Sequence, residues 1–269
     1  MIHSGAPKQG IGASIAVNHA GLANSEILAQ RLADLAGLLR RIAHDLDNIL
    51  TGIIGFAELS LACSDKSSPP HAYLSELLRV CENGIQLTRR LHFFHACGEV
   101  SLSPSDPASV IRAEVERLKK SLPATVELGA TIETAVPLVR LHQEPVRHVL
   151  AQVLTNAIES CPERGRIEIR ARTTEIGDAD TSSWLGALKA GRYVEIAVVD
   201  SGNGFSEEAR RRLVAEPFFT TKPKHRGLGL PIAFRILHAH GGGLRFESQP
   251  GQCMVRIALP AASSQEANG

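Results

Sequence analysis

The chain has 269 residues, of which 43% are hydrophobic and 21% charged, as in a globular protein large enough for two domains. Its 29 basic and 28 acidic side chains give a net charge of +1, which excludes a general electrostatic attraction to nucleic acid or to an anionic membrane. Five scattered cysteines without a C-x-x-C pair argue against a disulfide framework, and no signal peptide or membrane-spanning run is visible. We therefore expect a cytoplasmic protein without membrane insertion.

Two long amphipathic helices are predicted in the first part of the chain. Residues 1–24 are rich in Gly, Ala and Ser and predict a loose tail, after which Asn24 or Ser25 is a plausible N-cap. Apolar residues then recur at alternating steps of four and three, the pattern of a helix buried along one seam: Leu28, Leu32, Leu35, Leu39, Ile42, Leu46, Ile49, Ile53 and Phe56. The turn sequence SDKSSPP ends this helix, and a second seam runs from Tyr73 to Phe94.

A helical hairpin of this kind leaves much of both apolar stripes in contact with water. At roughly 25 cal/mol per Å² of apolar surface, that exposure favours pairing with a second copy. The pattern therefore predicts a homodimeric four-helix bundle built from residues 25–98. The stretch CGEVSLSPSDPAS then breaks the helical pattern with glycine and two prolines, and we place a linker at residues 99–106.

Helices and strands are mixed in the remainder of the chain, residues 107–262, which is followed by a short tail at 263–269. Helices are predicted at about 110–122, at EPVRHVLAQVLTNAIESC and at LGLPIAFRILHAHGG, and strands at TVELGATIE, GRIEIRAR, RYVEIAVVD, GLRFESQ and QCMVRIALP. Because these elements do not alternate regularly, the predicted fold is an α+β sandwich with a mixed sheet and helices on one face.

Two segments of this domain combine apolar structure with isolated polar residues. Asn156 lies on a helix whose other side is apolar, and an amide oxygen is a suitable ligand for Mg²⁺. Asp200 ends an apolar strand and is followed by Gly202 and Gly204, so its carboxylate could accept a hydrogen bond from an exocyclic amine while the glycines allow close approach. A solvated helical asparagine and a simple strand-to-helix turn explain the same residues equally well.

A third segment, TTKPKHRGLGLPIA, places glycines at the start of a helix after a basic stretch. Backbone amides at a helix N-terminus attract phosphate, and the lysines and arginine before Gly227 and Gly229 would reinforce that attraction. A single G-x-G is a weak signal by itself. The order and spacing of the three segments, together with EPFFTT, carry the specificity.

This order resembles a known family. Asn156, DSGNG, EPFFTTK, RGLGL and the closing SQPGQCMVRIALP are similar to the catalytic ATP-binding domain of sensor histidine kinases, within the Bergerat-fold ATPase superfamily. The resemblance covers about residues 107–260. The preceding HDLDNILTGIIGFAEL resembles the phosphoacceptor box of the same kinases, especially the subgroup reading His-Asp-Phe-Asn-Asn-Leu-Leu. Two modules thus follow each other in the family's order.

The resemblance implies a role for each residue of the ATP site. Asp200 would recognise the adenine amine and Asn156 would coordinate Mg²⁺, with Gln152 as a second ligand where the family usually has Asn. The loop at about 205–226 would form a lid over ATP, and Arg226 stands where the family often has Ser or Thr. The other nucleotide-binding residues that the resemblance implies are Gly202, Gly204, Thr221, Lys222, Gly227, Leu228 and Gly229.

His44 is the phosphoacceptor that the resemblance implies. The heptad register, with Ile42 at d and Leu46 at a, independently places His44 at the exposed f position. An isolated exposed histidine usually has no function, but Asp45 follows directly and Asn48 lies one turn on. By resemblance, Asp45 assists as a general base for the ring N–H, and Asn48 orients water for dephosphorylation of a partner.

The resemblance thus predicts an ATP-dependent protein histidine kinase that autophosphorylates His44 and passes the phosphoryl group to an Asp of a separate response regulator, which it could also dephosphorylate. Because residues 1–24 are too few for a sensor domain, we expect input from that tail, from a separate sensory protein or from the dimer itself. Two alternatives stay open. One is a dimeric phosphotransfer adaptor with a vestigial ATP domain, which should have lost Asp200 and the glycines. The other is a Bergerat-fold serine kinase or ATPase switch, which would not need the His44 hairpin.

Overall fold

The first part of the chain folds into a hairpin of two long helices. The computed structural model describes residues 20–262 except 97–102, 121, 142, 162–163, 203, 207–208, 210–211, 213, 217, 221–226 and 250. Helix α1 (Ala20–Ala62) and helix α2 (Pro69–Ala96) are joined by a six-residue turn at 63–68. Pro69 and Pro70 occupy the first turn of α2, where proline is tolerated because those amides have no helical partner. No helix in the described part of the chain has the length and apolar character required to cross a membrane.

Helix α1 begins earlier than its sequence pattern predicts. The expected N-cap at Asn24 or Ser25 is wrong, because the helix already starts at Ala20. Ser25 is instead buried within the helix, and its hydroxyl accepts a hydrogen bond from the Gly186 amide at 3.3 Å. A capping residue and a residue that packs against a distant strand look the same in a sequence.

The second part of the chain contains the other described helices and every strand among the described residues. The elements are α3 (Pro107–Lys119), β1 (Val126–Ile132), α4 (Gln143–Ser160), β2 (Gly165–Ile176), α5 (Asp178–Thr181), β3 (Leu185–Gly186), β4 (Gly191–Asp200), α6 (Gly229–Ala239), β5 (Gly243–Gln249) and β6 (Gln252–Pro260). The strands form one sheet in the order β1-β2-β4-β6-β5-β3. Strands β1 and β2 pair in parallel and the other pairs are antiparallel, so the predicted mixed sheet is confirmed.

The two faces of this sheet have opposite chemistry. On β2, the buried Ile167, Ile169 and Ala171 face the helices. The alternate residues face outward, where Glu195 of β4 accepts hydrogen bonds from Arg172 at 3.0 Å and Arg256 at 2.7 Å. This separation follows from the two-residue period of a strand. One face is covered by helices, and the other carries a ladder of paired charges.

The hairpin packs against this second domain along the first half of α1 and the end of α2. Leu32, Leu39 and Leu91 belong to the same buried core as the sheet and its helices. Phe94 is fully buried, with the Arg235 guanidinium of α6 4.8 Å from its ring centroid. Phe93 stacks on the His148 ring of α4 at 3.9 Å. The end of α2 is thereby fixed against α4 and α6.

The second half of α1 carries an apolar stripe that is exposed in the single chain. Ile49 is 58% exposed and Phe56 75%, although both belong to the seam that the sequence predicts to be buried. Tyr73, Leu77 and Val80 of α2 are exposed as well. The seam is therefore divided, because only its first half meets the second domain. The exposed half is the surface on which the predicted pairing with a second copy depends.

Candidate functional site

A cleft of about 420 Å³ lies between α2 and the second domain. Gln152, Asn156, Gly227 and Gly229 line it, which brings together residues that the sequence analysis assigns to the triphosphate end of an ATP site. Leu228, another predicted residue, also lines the cleft and is itself buried. None of the described residues that line the cleft is an aspartate or a glutamate. The cleft therefore suits an anion.

Asp200 lies at the end of β4, on the sheet face that meets the helices, and only 4% of its surface is exposed. Its Oδ1 accepts a hydrogen bond from the Gly202 amide at 2.9 Å, which turns the chain sharply after the strand. A β-carbon at position 202 would come within 2.4 Å of the Ser160 carbonyl oxygen, so the end of α4 requires glycine here. Gly204 stands next to Ser248 of β5.

The start of α6 supplies backbone donors to the cleft. Gly229 and Leu230 are the first helical residues, and the cap residue Leu228 makes no side-chain hydrogen bond that would satisfy them. Gly227 has φ +64°, and a β-carbon there would lie 2.3 Å from the Phe219 carbonyl oxygen. Only glycine therefore allows the chain to enter the helix at this point. The positive end of the helix dipole faces the cleft.

Helix α4 presents its polar side chains at intervals of one turn. Asn156 and Gln152 are separated by four residues, as is Gln152 from His148. The Gln152 side chain lies directly against Gly229, where a β-carbon would be 2.4 Å from its Oε1. The pKa of His148 is lowered from 6.5 to about 4. Burial of the ring is the main cause, and the positive charge of the nearby Arg147 is the second. His148 is thus a neutral aromatic wall of the cleft at neutral pH.

Part of the predicted lid lies outside the described residues. Thr221, Lys222 and Arg226 lie outside the described residues. On the described side of that segment, Thr220 and Phe219 line the cleft. The Arg212 guanidinium lies 4.0 Å from the Phe219 ring centroid and forms an ion pair with Glu216 at 2.8 Å.

His44 is exposed, as the heptad register predicts, with 72% of its side chain accessible. Its Nδ1 lies 3.5 Å from Asp45 Oδ1 and 3.4 Å from the Asn48 side-chain nitrogen. All three predicted residues thus cluster around one ring nitrogen. The other ring nitrogen, Nε2, has no partner among the described residues. His44 does not line the cleft.

A neighbouring pair ties the two hairpin helices together one turn beyond His44. Asp47 of α1 lies 2.5 Å from His92 Nε2 of α2. Hydrogen bonds from Thr88 and from His92 hold the pKa of the Asp47 carboxyl below its usual value. The carboxylate therefore stays ionised, and the pair fixes the register of α1 against α2 beside the predicted phosphoacceptor.

One wall of the cleft is not predicted from the sequence. Gln86, Arg89, Arg90 and Phe93 of α2 line it together with the predicted residues. Arg89 and Arg90 lie three and four residues after Gln86 and four and three residues before Phe93, so the four residues share one side of the helix. The step pattern is visible in the sequence, but nothing in it indicates that this face meets the ATP-binding segments.

Comparison with known sequences finds a family match within the second part of the chain. Residues 142–263 match the family described as histidine kinase-, DNA gyrase B-, and HSP90-like ATPase. The chain is 28% identical over 229 residues to the signal transduction histidine-protein kinase AtoS of Escherichia coli, covering 83% of this chain and 34% of that protein. It is 28% identical over 239 residues to the sensor protein FixL of Bradyrhizobium diazoefficiens, covering 86% and 45%. The chain thus spans less than half the length of these relatives.

Solved structures agree on the fold. The structure of full-length ShkA in complex with AMPPNP has a TM-score of 0.66 at 23% identity, and covers 85% of this chain and 46% of that chain. The Acinetobacter baumannii histidine kinase AdeS has a TM-score of 0.51 at 15% identity, over 81% of this chain and 96% of that chain. A helical hairpin followed by an α/β domain with a mixed sheet is therefore an architecture that these proteins share with this chain.

Proposed function

We propose that this chain is a sensor histidine kinase, an ATP-dependent enzyme that phosphorylates its own His44. The ATPase-family match, the kinase relatives and the shared fold support this proposal. The phosphoryl group then passes to an aspartate of a separate response regulator. One observation carries this proposal: the same chain contains a cleft at a helix N-terminus, with no acidic residue among its described lining residues, and an exposed histidine beside a carboxylate. We place the phosphoacceptor domain at residues 25–98 and the ATP-binding domain at 107–262.

The cleft fits the triphosphate of ATP. The amides of Gly229 and Leu230 and the dipole of α6 attract phosphate oxygens, and no carboxylate among the described lining residues opposes them. Asp200, at the end of β4, is a buried acceptor suited to the exocyclic amine of adenine.

The amide oxygens of Asn156 and Gln152 suit a hard cation such as Mg²⁺. Both side chains line the cleft, and Gln152 already reaches Gly229, so its extra methylene does not remove it from the site. A bound Mg²⁺ would neutralise charge on the triphosphate.

The surroundings of His44 suit a nucleophile. When Nδ1 carries the proton and faces Asp45 at 3.5 Å, the Asn48 amide turns its oxygen rather than its nitrogen toward the ring, and the lone pair lies on the exposed Nε2. Nε2 then forms a bond to the γ-phosphorus while the bond to the β,γ-bridging oxygen breaks and ADP leaves, and Asp45 accepts the Nδ1 proton. Such general-base assistance is worth typically ~10² to 10⁴ in rate. Asn48, whose side-chain amide lies 3.4 Å from His44 Nδ1, would orient a water molecule for dephosphorylation of the regulator.

Because His44 lies outside the cleft, transfer requires either movement of the ATP-binding domain or the cleft of a second chain. The exposed stripe with Ile49 and Phe56 supports a homodimer, since an apolar surface of this kind is stabilised by a matching copy. The stimulus would reach the dimer through the N-terminal part of the chain or from a separate sensory protein.

Incubation of the purified chain with γ-labelled ATP and Mg²⁺ tests the proposal. We expect label that is acid-labile and alkali-stable, that is lost in His44→Gln and Asp200→Asn, and that persists in the matched control His95→Gln. Label that survives in His44→Gln would contradict the assignment of the phosphoacceptor. ATP hydrolysis without protein labelling would favour the ATPase switch, and a chain that binds no ATP would favour the phosphotransfer adaptor.

A further inference from the structure

We infer that Arg89 and Arg90 of α2 bind the triphosphate, so that the helical hairpin completes the phosphate site of the ATP-binding domain. The inference rests on the proposed function, because it concerns the same nucleotide. It assigns a direct ligand-binding role to a helix outside the ATPase-family match at residues 142–263.

The position of the two arginines is the first observation. Both line the cleft that also contains Asn156, Gly227 and Gly229. They lie on the face of α2 that carries Gln86 and Phe93 one turn away on either side, so the helix presents them side by side. The cleft therefore has the start of α6 as one wall and two guanidinium-bearing residues on another.

The charge balance of the cleft is the second observation. Among the described residues, Arg89 and Arg90 have no ion-pair or hydrogen-bond partner, and no lining residue is acidic. Arg79, on the same helix, is by contrast paired with Glu76 through its Nε at 2.8 Å. Two adjacent cations that have no counter-anion in the described part of the chain, opposite a helix N-terminus, match a polyphosphate. The planar guanidinium fork binds phosphate oxygens in pairs.

The anchoring of α2 is the third observation. Phe93, one turn after the arginines, stacks on His148 with 23° between the ring planes. Arg235 of α6 lies over the Phe94 ring and donates a hydrogen bond to the Phe94 carbonyl oxygen. These contacts hold the arginines at the cleft, although no acidic partner for them lies among the described residues. A consequence is that affinity for ATP depends on docking of the hairpin against the ATP-binding domain.

The full-length chain with Arg89→Gln and Arg90→Gln combined tests the inference. In the presence of Mg²⁺, calorimetric titration should show ATP binding weakened by about tenfold or more, the scale of lost charge-assisted phosphate contacts. ADP binding should weaken less, and AMP binding should not change. Arg79→Gln, which removes one positive charge from the same helix outside the cleft, should bind all three nucleotides like the parent.

The two exposed side chains are replaceable without loss of core packing, and an unchanged thermal midpoint will verify that. The inference is overturned if the double variant binds ATP within about twofold of the parent, a difference of less than 0.5 kcal/mol. It is equally overturned if AMP binding weakens as much as ATP binding, since the loss would then not concern the outer phosphates. A parent chain that binds no ATP would overturn the proposed function and this inference together.

Discussion

Acidification should destabilise the ATP-binding domain through His148, the histidine that stacks on Phe93. Its pKa lies at about 4 in the folded chain, against a usual value of 6.5, chiefly because burial disfavours the charged ring. Between these two values the unfolded chain binds a proton that the folded chain does not. The neutral His148 ring therefore costs no stability well above pH 6.5, and the free energy of unfolding decreases by the contribution of this one group as the pH falls from 6.5 toward 4.

The size of the effect follows from the two pKa values. Integration of the proton-linkage relation from pH 7 to pH 5 gives a loss of about 2 kcal/mol. Solvent that reaches the ring through the cleft reduces this, so we expect about 1 to 2 kcal/mol. Asp47 and Glu168 have lowered pKa values and stay ionised in this range, so they contribute little.

Urea unfolding at pH 7 and pH 5 provides the measurement. Trp184, the chain's single tryptophan, is buried in the ATP-binding domain and reports its unfolding by fluorescence. His148→Phe keeps an aromatic ring against Phe93 but removes the titrating group, so its loss between the two pH values should be smaller than that of the parent by about 1 to 2 kcal/mol. The pKa of His238 is also lowered by burial, and the subtraction cancels its contribution. Equal losses in parent and variant would refute the argument.

Two further predictions concern the ATP site and the dimer. Gly227→Ala should abolish ATP binding and lower the free energy of unfolding by about 1 to 3 kcal/mol, because φ is +64° and the new β-carbon would meet the Phe219 carbonyl oxygen. Calorimetry measures the binding and urea unfolding measures the stability. The control Gly129→Ala, whose new β-carbon would lie in open space on β1, should change neither quantity. Ile49→Glu should weaken dimerisation at least about tenfold in analytical ultracentrifugation, because it would bury a carboxylate in an apolar interface. The control Glu58→Lys changes a position that is already polar and exposed, so it should leave dimerisation unchanged. Dimerisation that survives Ile49→Glu unchanged would mean that the exposed stripe is not the interface.

The sequence determined the features that depend on local pattern. The steps of four and three predicted both hairpin helices, and the single register that this pattern sets placed His44 outside. The order of Asn156, Asp200 and the glycines at the start of α6 predicted the ATP-binding domain through its resemblance to a known family. Asp200 and these glycines lie at the ends of elements, where backbone geometry restricts the residue type. Such features could be read without knowing the neighbours of each residue.

Only the tertiary structure decided which surface covers each apolar or basic face. Leu32 and Ile49 belong to the same seam, yet the first is buried and the second is 58% exposed, because the ATP-binding domain reaches only the first half of α1. Ser25, read as a cap, is buried because a distant strand packs against it. In the sequence, Arg89 and Arg90 look like the charged residues of an ordinary solvent-exposed helix surface. Only the packing of α2 against the ATP-binding domain brings them to the cleft. The spacing of apolar residues in a sequence shows which of them share one face of a helix. It does not show which element packs against that face, because that contact involves residues distant in the sequence.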